Sequence, residues 1–377
     1  MMFYLGLFTL ALIATIYTGL RAVKWIRTMV AFKKSFIFWI VAVIFTGLYF
    51  IGNYIRPSVL SRIVSLSGGV YLGFLLYLFM LTLAADIIVH VIMLTPLGKK
   101  PVFSSKTAFR SLGAGILAFS VAVTAYGTIN AAAVDKTEYS VVTGSSYGEL
   151  NIVLISDLHL GTQIGASQIR RVVDTINECD ADLVCIAGDV FNAAMEDCID
   201  LDDVITELRR IKSRLGVYAV LGNHDPDPSY EPLCEFFEKS CIKLLDDEYV
   251  EFKGFYLVGR ADLSASRRYS SGRKPLEEIT AGFDENKPMV VIDHQPAGVD
   301  EAVEYGASLV LCGHTHNGQL FPATVIAAQT HGAGRCYGKF SEGKTHIIIT
   351  SGVGYWGVPM RVGSNCEAAV IKTDLAG

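Results

Sequence analysis

The sequence predicts an α/β fold for residues 149–377, preceded by an all-α domain of four transmembrane helices over residues 1–133. The first observation is a sharp change of composition near residue 133, where long apolar runs give way to mixed polar sequence. The second is that short apolar, strand-like runs then alternate with helical patterns, which is typical of parallel βαβ units. The polar, Ser- and Gly-containing residues 134–148 predict a linker or a first edge strand.

The membrane domain is predicted from run length. The four apolar runs cover about residues 3–20, 36–55, 70–94 and 112–133. Each is close to the roughly 20 residues that a helix needs to cross a bilayer. Positive charge follows the first run rather than preceding it, which argues against a cleaved signal peptide. We therefore expect a multi-pass protein of the cell membrane.

The loops between the runs predict an orientation. The first and third loops carry most of the basic residues: Arg21, Lys24, Arg27, Lys33, Lys34, Lys99, Lys100, Lys106 and Arg110. The second loop has only Arg56 and Arg62. The positive-inside rule places the first and third loops in the cytoplasm. With an even number of helices, both termini and the large C-terminal domain are then expected on the extracytoplasmic side.

Charge separates the two halves as well. Residues 1–133 hold 11 of the 32 basic residues but one acidic residue, Asp86, so 21 basic and 36 acidic residues follow. A domain this acidic is poorly suited to bind a phosphate backbone, and we expect no nucleic-acid partner. Asp86 shares a helix face with His90. Such a pair indicates a functional site or a polar tie between helices, and we favour the tie.

Polar side chains directly follow five predicted strands. They are Asp157 and His159, Asp189, Asn223 with His224 and Asp225, Asp293 with His294, and His314 with His316. The carboxyl ends of parallel strands meet at one edge of a sheet, where ligands bind. A single Asp after a strand usually caps a helix or shapes a turn. Five such sites in series predict one shared centre.

Seven of these residues are candidate metal ligands: Asp157, His159, Asp189, Asn223, His294, His314 and His316. His314 and His316 are two residues apart, so in a strand-like segment their imidazoles point the same way. The set exceeds what one tetrahedral zinc needs and suits Mn²⁺, Fe, Zn²⁺ or Ni²⁺ better than Ca²⁺. We expect two divalent metal ions, with Mn²⁺ foremost and with Asp189 able to bridge them.

The ordered motifs Asp-x-His, Gly-Asp, Gly-Asn-His-Asp, His and Gly-His-x-His resemble those of the calcineurin-like metallophosphoesterase superfamily over residues 149–373. The segments Gly313–Pro322 and Ser351–Gly363 are similar to its bacterial membrane-associated phosphodiesterase branch. The resemblance implies a four-layer α/β/β/α sandwich. It also implies one metal held by Asp157, His159, Asp189 and His316, and a second held by Asp189, Asn223, His294 and His314.

Two further residues are candidates for catalysis. The resemblance implies that His224 contacts the substrate rather than a metal, and we expect it to stabilise the transition state and to protonate the leaving oxygen. Support of neighbouring ligands is the alternative role. Asp225 is expected to hold the His224 imidazole in one tautomer. Paired cations about 3.5 to 4 Å apart would activate a shared water for attack on phosphorus.

These features predict a membrane-anchored, dinuclear metal-dependent phosphoesterase that cleaves a phosphodiester, phosphomonoester or pyrophosphate bond. The expected partners are membrane lipids and a small-molecule or lipid-linked envelope substrate. Protein phosphatases carry the motif Gly-Asp-x-x-Asp-Arg-Gly, whereas this chain has Gly-Asp-Val-Phe-Asn at Gly188–Asn192 and lacks the Arg. This difference disfavours a phosphoprotein substrate. The alternative is a catalytically silent metal-binding scaffold or membrane sensor that retains the fold. The complete donor set argues against it, and the oligomeric state is left open.

Two groups of basic residues outside the motifs receive separate interpretations. Arg267, Arg268, Arg273 and Lys274 lie on a Ser/Gly-rich segment, where they indicate a solvated loop or, as the alternative, a contact for phosphate or lipid headgroups. Arg361 lies in the Gly-rich closing motif. By resemblance, it is expected to shape the floor of the pocket rather than to take part in catalysis.

Overall fold

The protein is described here by a computed structural model, which covers residues 2–32, 34–52, 55–101, 105–144, 148–225, 230–264, 272–330 and 335–375. The chain divides into two compact units. The first contains Met1–Ile129 and Gly357–Met360, and the second contains Asn130–Trp356 and Arg361–Gly377.

The first unit contains four long helices: α1 (Met2–Arg27), α2 (Ser35–Gly52), α3 (Val59–Met93) and α4 (Lys106–Ala132). All four are long and apolar enough to cross a membrane, as their apolar runs predict. Helix α3 begins well before its apolar run because Ser58 and Ser61 form a reciprocal capping box at its first turn. Lys33 of the first loop lies outside the described residues.

Small and polar residues join these helices. A Cβ atom added to Gly68 would lie far inside van der Waals contact with the backbone of Tyr49, so glycine is what lets α2 and α3 approach closely. The carboxylate of Asp86 on α3 accepts a hydrogen bond from Tyr17 Oη (2.6 Å) and pairs with Arg21, both on α1. Asp86 therefore ties two helices together, whereas the side chain of His90 is exposed.

The second unit is built on two six-stranded mixed sheets. The first sheet has the order β1 (Asp135–Val141), β12 (Glu367–Thr373), β2 (Leu150–Ile155), β3 (Leu183–Ala187), β4 (Val217–Val220), β5 (Lys243–Leu244). Strands β12 and β2 are antiparallel and the other neighbours are parallel. Residues 135–141 thus form an edge strand, the second of the two possibilities considered for the segment 134–148.

The second sheet has the order β10 (Gly338–Glu342), β11 (Thr345–Ile349), β9 (Leu309–Cys312), β8 (Met289–Ile292), β7 (Tyr256–Gly259), β6 (Glu248–Glu251). Its two outer pairs are antiparallel and its inner strands are parallel. Strands β7, β8 and β9 are buried along their whole length. This explains their continuous apolar sequences, because parallel strands are usually covered on both faces.

The sheets pack face to face around a core that includes Leu154, Cys185, Leu257, Ile292 and Leu311. Helices α5 (Ala166–Asn177), α6 (Leu201–Leu208) and α7 (Tyr230–Lys239) cover the outer face of the first sheet. Helices α8 (Leu276–Thr280) and α9 (Val299–Glu304) cover the second, and α10 (Ala323–Thr330) lies outside the core with no buried residue. The predicted four-layer α/β/β/α sandwich is confirmed.

Candidate metal centre

The candidate ligands converge because the loops after the strands are joined by backbone hydrogen bonds. The loop after β2 is linked to the loop after β3 by Asp157 N–H donating to Gly188 O and His159 N–H donating to Asp189 O, both at 3.0 Å. The loop after β9 is linked to the loop after β8 by Gly313 N–H donating to His294 O at 3.1 Å. The sheet edges thus hold the polar residues that the sequence places at strand ends.

Five of the seven candidate ligands have a left-handed backbone. The φ angles are 55° at Asp157, 50° at His159, 51° at Asp189, 73° at His314 and 50° at His316. Such angles are uncommon for residues other than glycine and cost about 1–3 kcal/mol each. A fold that accepts this strain at five clustered polar residues indicates that their side-chain directions serve a function.

The first group of donors is formed by Asp157, His159 and His316. The Nε2 atoms of the two histidines are 3.0 Å apart, and His316 Nε2 lies 3.4 Å from Asp157 Oδ1. Among the described residues, Asp157 Oδ1 is buried without a hydrogen-bond partner. Ligand atoms about 2.1 Å from a shared ion lie roughly 3.0–3.4 Å apart. The spacing and the orphaned oxygen both fit a bound cation.

The second group is formed by Asp189, His294 and His314, with Asn223 beside them. His294 Nδ1 donates to the carbonyl of Ala187 (2.7 Å), which fixes the tautomer and leaves Nε2 facing Asp189 Oδ2 (3.2 Å) and Asn223 Oδ1 (3.1 Å). Asp189 Oδ2 is also 3.8 Å from His159 Nε2 of the first group. One carboxylate oxygen therefore lies between both groups, within reach of donors from each.

Burial prepares the first group to bind a cation. It lowers the pKa of His159 to about 3 and that of His316 well below its ordinary value, so both imidazoles are neutral. In the second group, burial alone lowers the pKa of His294, but the carboxylate of Asp189 more than reverses this and raises the pKa well above its usual range. Asp189 thus attracts positive charge to the position that a cation would take.

Glycines of the motifs leave room for the donors. A Cβ atom at Gly222 would overlap Asp189 Oδ1, and one at Gly313 would overlap the hydroxyl of Ser156. Ser156 Oγ donates to Asp157 Oδ2, which also accepts a hydrogen bond from His314 N–H (3.1 Å). The glycines are therefore required for the close approach of the loops that carry the ligands.

His224 and Asp225 differ from each other in their contacts. The imidazole of His224 is half-buried, with Nδ1 3.1 Å from Asn192 O and its ring centroid 5.2 Å from that of His159. The expected contact with Asp225 is not formed. Asp225 instead accepts hydrogen bonds from Phe191 N–H (2.8 Å) and Gly222 N–H (2.6 Å), because its side chain turns back to close the loop after β4. The group that orients His224 is a backbone carbonyl.

Trp356 and Gln319 are site residues that the sequence analysis did not identify individually. The Trp356 ring centroid is 5.7 Å from that of His224. The Gln319 side chain accepts from Trp356 N–H (2.8 Å) and donates to Trp356 O (3.0 Å), which fixes the backbone beside that ring. Both residues lie in recognised motifs, but spacing along the chain does not show that residues 37 positions apart are paired.

Arg361 is fully buried and holds the loops beneath the ligands. Its guanidinium donates to the carbonyls of His316 (3.0 Å), Ser351 (2.7 Å) and Gly354 (2.6 Å). These contacts are those of a residue that shapes the floor of the pocket, as its position in the closing motif suggests.

Arg273 fits neither interpretation of the basic segment near residue 270, whereas Lys274 is exposed, as the solvated-loop interpretation expects. The guanidinium of Arg273 is buried and pairs with Asp293 (2.6 Å), and the backbone N–H of Lys274 donates to Asp247 (2.7 Å). Arg273 is neither solvated nor free to hold a phosphate, because three acidic residues surround it and Arg260: Asp247 before β6, Asp293 after β8 and Glu301 of α9. Arg267 and Arg268 lie outside the described residues.

Comparison with known proteins identifies the same region. A family model described as calcineurin-like phosphoesterase matches residues 150–318, which include all seven candidate ligands. An uncharacterized metallophosphoesterase of Aquifex aeolicus is 30% identical over 226 residues, covering 59% of this chain and 84% of that protein. An uncharacterized metallophosphoesterase of Helicobacter pylori is 30% identical over 228 residues, covering 59% of this chain and 60% of its own length.

The name of a zebrafish (Danio rerio) relative includes both a transmembrane part and a metallophosphoesterase domain. This transmembrane protein with metallophosphoesterase domain is 33% identical over 267 residues, covering 67% of this chain and 60% of that protein. The chain thus spans about 60% of the length of the Helicobacter and zebrafish relatives.

Proposed function

The chain belongs to the calcineurin-like phosphoesterase family, and from this membership we propose that it is a membrane-anchored hydrolase of phosphoric esters that uses two divalent cations, Mn²⁺ foremost. The observation that carries the proposal is the position of Asp189 Oδ2 between two groups of metal-ligand type. Asp157, His159, Asp189 and His316 would hold one cation. Asp189, Asn223, His294 and His314 would hold the other.

The protein's own residues divide the chemical work. Two bound cations would lower the pKa of a shared water and offset the charge that develops on the phosphoryl oxygens. Asn192 O accepts the Nδ1 proton of His224, which leaves Nε2 available to a second partner. In its protonated form, His224 would donate from Nε2 to the leaving oxygen. Trp356, held by Gln319, would form a wall of the same pocket.

The proposed substrate is a phosphodiester, phosphomonoester or pyrophosphate of a small molecule or of a lipid-linked envelope component. Four helices of membrane-spanning length support a reaction at a membrane, and the basic first and third loops support an extracytoplasmic active site. A nucleic-acid substrate is disfavoured by the acidic charge of residues 134–377.

The test uses the purified full chain reconstituted with Mn²⁺. We expect two metal ions per chain by elemental analysis and hydrolysis of a chromogenic phosphodiester. In Asp189→Asn, metal content and hydrolysis should both fall, whereas Asp203→Asn on the exposed face of α6 should match the unchanged protein. Two bound metals without hydrolysis of diester, monoester, nucleotide-sugar or phospholipid substrates would favour the silent scaffold instead.

A further inference from the structure

The first unit encloses a cavity of about 330 Å³ among α1, α2, α3 and α4. This volume falls within the roughly 300–1,000 Å³ typical of small-molecule pockets. Its aromatic wall comprises Trp25, Phe38, Phe45, Tyr71, Phe74 and Phe109. The hydroxyls of Thr15 and Thr18 in the wall donate to the carbonyls of Ala11 (2.8 Å) and Ala14 (2.7 Å). Since these hydroxyls are already satisfied, the wall favours an apolar occupant.

The cavity opens between α2 and α4. Val41 and Phe45 of α2 are 47% and 41% exposed, and Leu112 and Leu117 of α4 are 41% and 39% exposed, yet all four line the cavity. Helix α4 also makes fewer close approaches to the other three helices than these make to one another. For helices in a bilayer, this opening faces hydrocarbon chains. An acyl chain is therefore the apolar group with direct access.

Arg21 and Asp86 line the cavity, and two further basic residues, Lys24 and Arg110, adjoin its wall at Phe109 and Trp25. Arg21 and Lys24 both lie over the ring of Phe109, each 5.7 Å from its centroid. Arg110 directly follows Phe109 in the chain. It donates to the backbone carbonyl and the hydroxyl of Thr28, which are neutral acceptors. Asp86 pairs with Arg21. Among the described residues beside this wall, Lys24 and Arg110 have no acidic partner, so their charges are left to attract an anion.

We propose that this cavity binds one acyl chain of an anionic phospholipid, with the lipid phosphate held at Lys24 and Arg110. The binding site consists wholly of residues of the first unit and shares no residue with the candidate metal centre. The proposal therefore does not rest on the phosphoesterase activity. In the proposed orientation, the lipid belongs to the cytoplasmic leaflet, where juxtamembrane basic residues recognise anionic headgroups.

Trp25 provides a direct probe, because it lines the cavity and its Nε1 donates to Arg110 O at 3.0 Å. The chain has three tryptophans, so Trp39→Phe with Trp356→Phe leaves Trp25 alone. This variant is reconstituted in vesicles of one fixed ratio of phosphatidylcholine to phosphatidylglycerol. In one set the phosphatidylglycerol carries brominated chains, and in the other an equal amount of phosphatidylcholine does. The surface charge is then identical in both.

We expect brominated phosphatidylglycerol to quench Trp25 more strongly, with an apparent preference of roughly fivefold for each cation involved. Lys24→Gln with Arg110→Gln should remove most of that preference. Ala42→Phe, which fills the cavity, should reduce quenching by the brominated anionic lipid, whereas Val43→Phe on the exposed side of the same helix should not. Both effects would support the proposal.

Equal quenching by the two brominated lipids would overturn the proposal. So would a preference that survives the loss of Lys24 and Arg110. The lipid comparison in the Trp25-only protein needs no substitution in the cavity, so it remains decisive if Ala42→Phe does not fold.

Discussion

His224 and Asp225 show how adjacent side chains of one motif come to serve different purposes. The imidazole lies beside His159 and Trp356, where a substrate would meet it, and its Nδ1 faces a carbonyl. The carboxylate is buried and accepts two backbone N–H groups. Burial, with the nearby charge of Asp189, raises the pKa of Asp225 to about 7. The motif thus places a half-buried imidazole directly before a buried carboxylate that closes the loop.

Replacing His224 with Gln should leave metal content unchanged and lower turnover by roughly 100-fold or more, because the proposed proton donor to the leaving oxygen is lost. Steady-state hydrolysis of a chromogenic diester and elemental analysis of the same preparation measure both quantities. An ester with a good leaving group should be affected less, since it needs less protonation. Unchanged turnover of a poor leaving group would rule out the acid role.

The substitution Asp225→Asn should lower the stability of the folded protein. The amide nitrogen of Asn cannot accept a hydrogen bond, so either Phe191 N–H or Gly222 N–H loses its partner at a cost of about 1–3 kcal/mol in the free energy of unfolding. Urea denaturation followed by circular dichroism measures this change. A variant with normal stability but the turnover defect of His224→Gln would return Asp225 to a catalytic role.

The strand-end turns are the elements that build the centre, and they were also the most predictable part of it. The sequence Gly-Asn-His-Asp indicates a strand end, a metal-ligand side chain and a turn within a few residues. It does not report that Gly222 is packed directly against Asp189, because that contact depends on the register of β3 with β4. Edge strands such as β1 and β6 were less predictable, since half-exposed, polar strands have no continuous apolar run.

Gly222→Ala tests the importance of that close packing. The added methyl group would displace Asp189, and we expect Mn²⁺ affinity to fall roughly 10- to 100-fold, as for other changes around metal ligands. Gly161→Ala is the matched control, because a Cβ atom there would make only ordinary contacts. Isothermal titration of both variants measures the difference. Equal affinities would mean that Asp189 can shift without loss of the centre.

For the whole molecule, composition alone was enough to separate a part with four long apolar helices from an α/β part. The length and hydropathy of the apolar runs predicted four helices able to span a membrane, because every spanning helix must be long and apolar enough to cross the hydrocarbon core. The polar ties were harder to predict. The pairing of Asp86 with Arg21 joins residues 65 positions apart, and the inclusion of Arg273 in a buried ion network depends on Asp293 after β8 and on Glu301 of α9. Such long-range pairs have no signature in local sequence.

The orientation of the chain is testable with a natural cysteine. Cys241 is exposed in the second unit, so a membrane-impermeant maleimide should label it on intact cells if that unit is extracytoplasmic. Cys241→Ser should remove most of this labelling, since Cys179 and Cys234 are only partly exposed. Met29→Cys in the first loop, made in the Cys241→Ser background, should be labelled only after permeabilisation. The opposite pattern would reverse the proposed orientation.

The position of β12 in the first sheet also has a consequence for how the protein is made. This strand, residues 367–373, lies between β1 and β2 and hydrogen-bonds to both, although more than two hundred residues of chain separate it from them. The sheet cannot close until the ribosome has supplied that strand. During synthesis, β1 and the neighbouring edge of β2 therefore have exposed backbone groups, and a chaperone or a rapid late step must protect them from pairing with other chains.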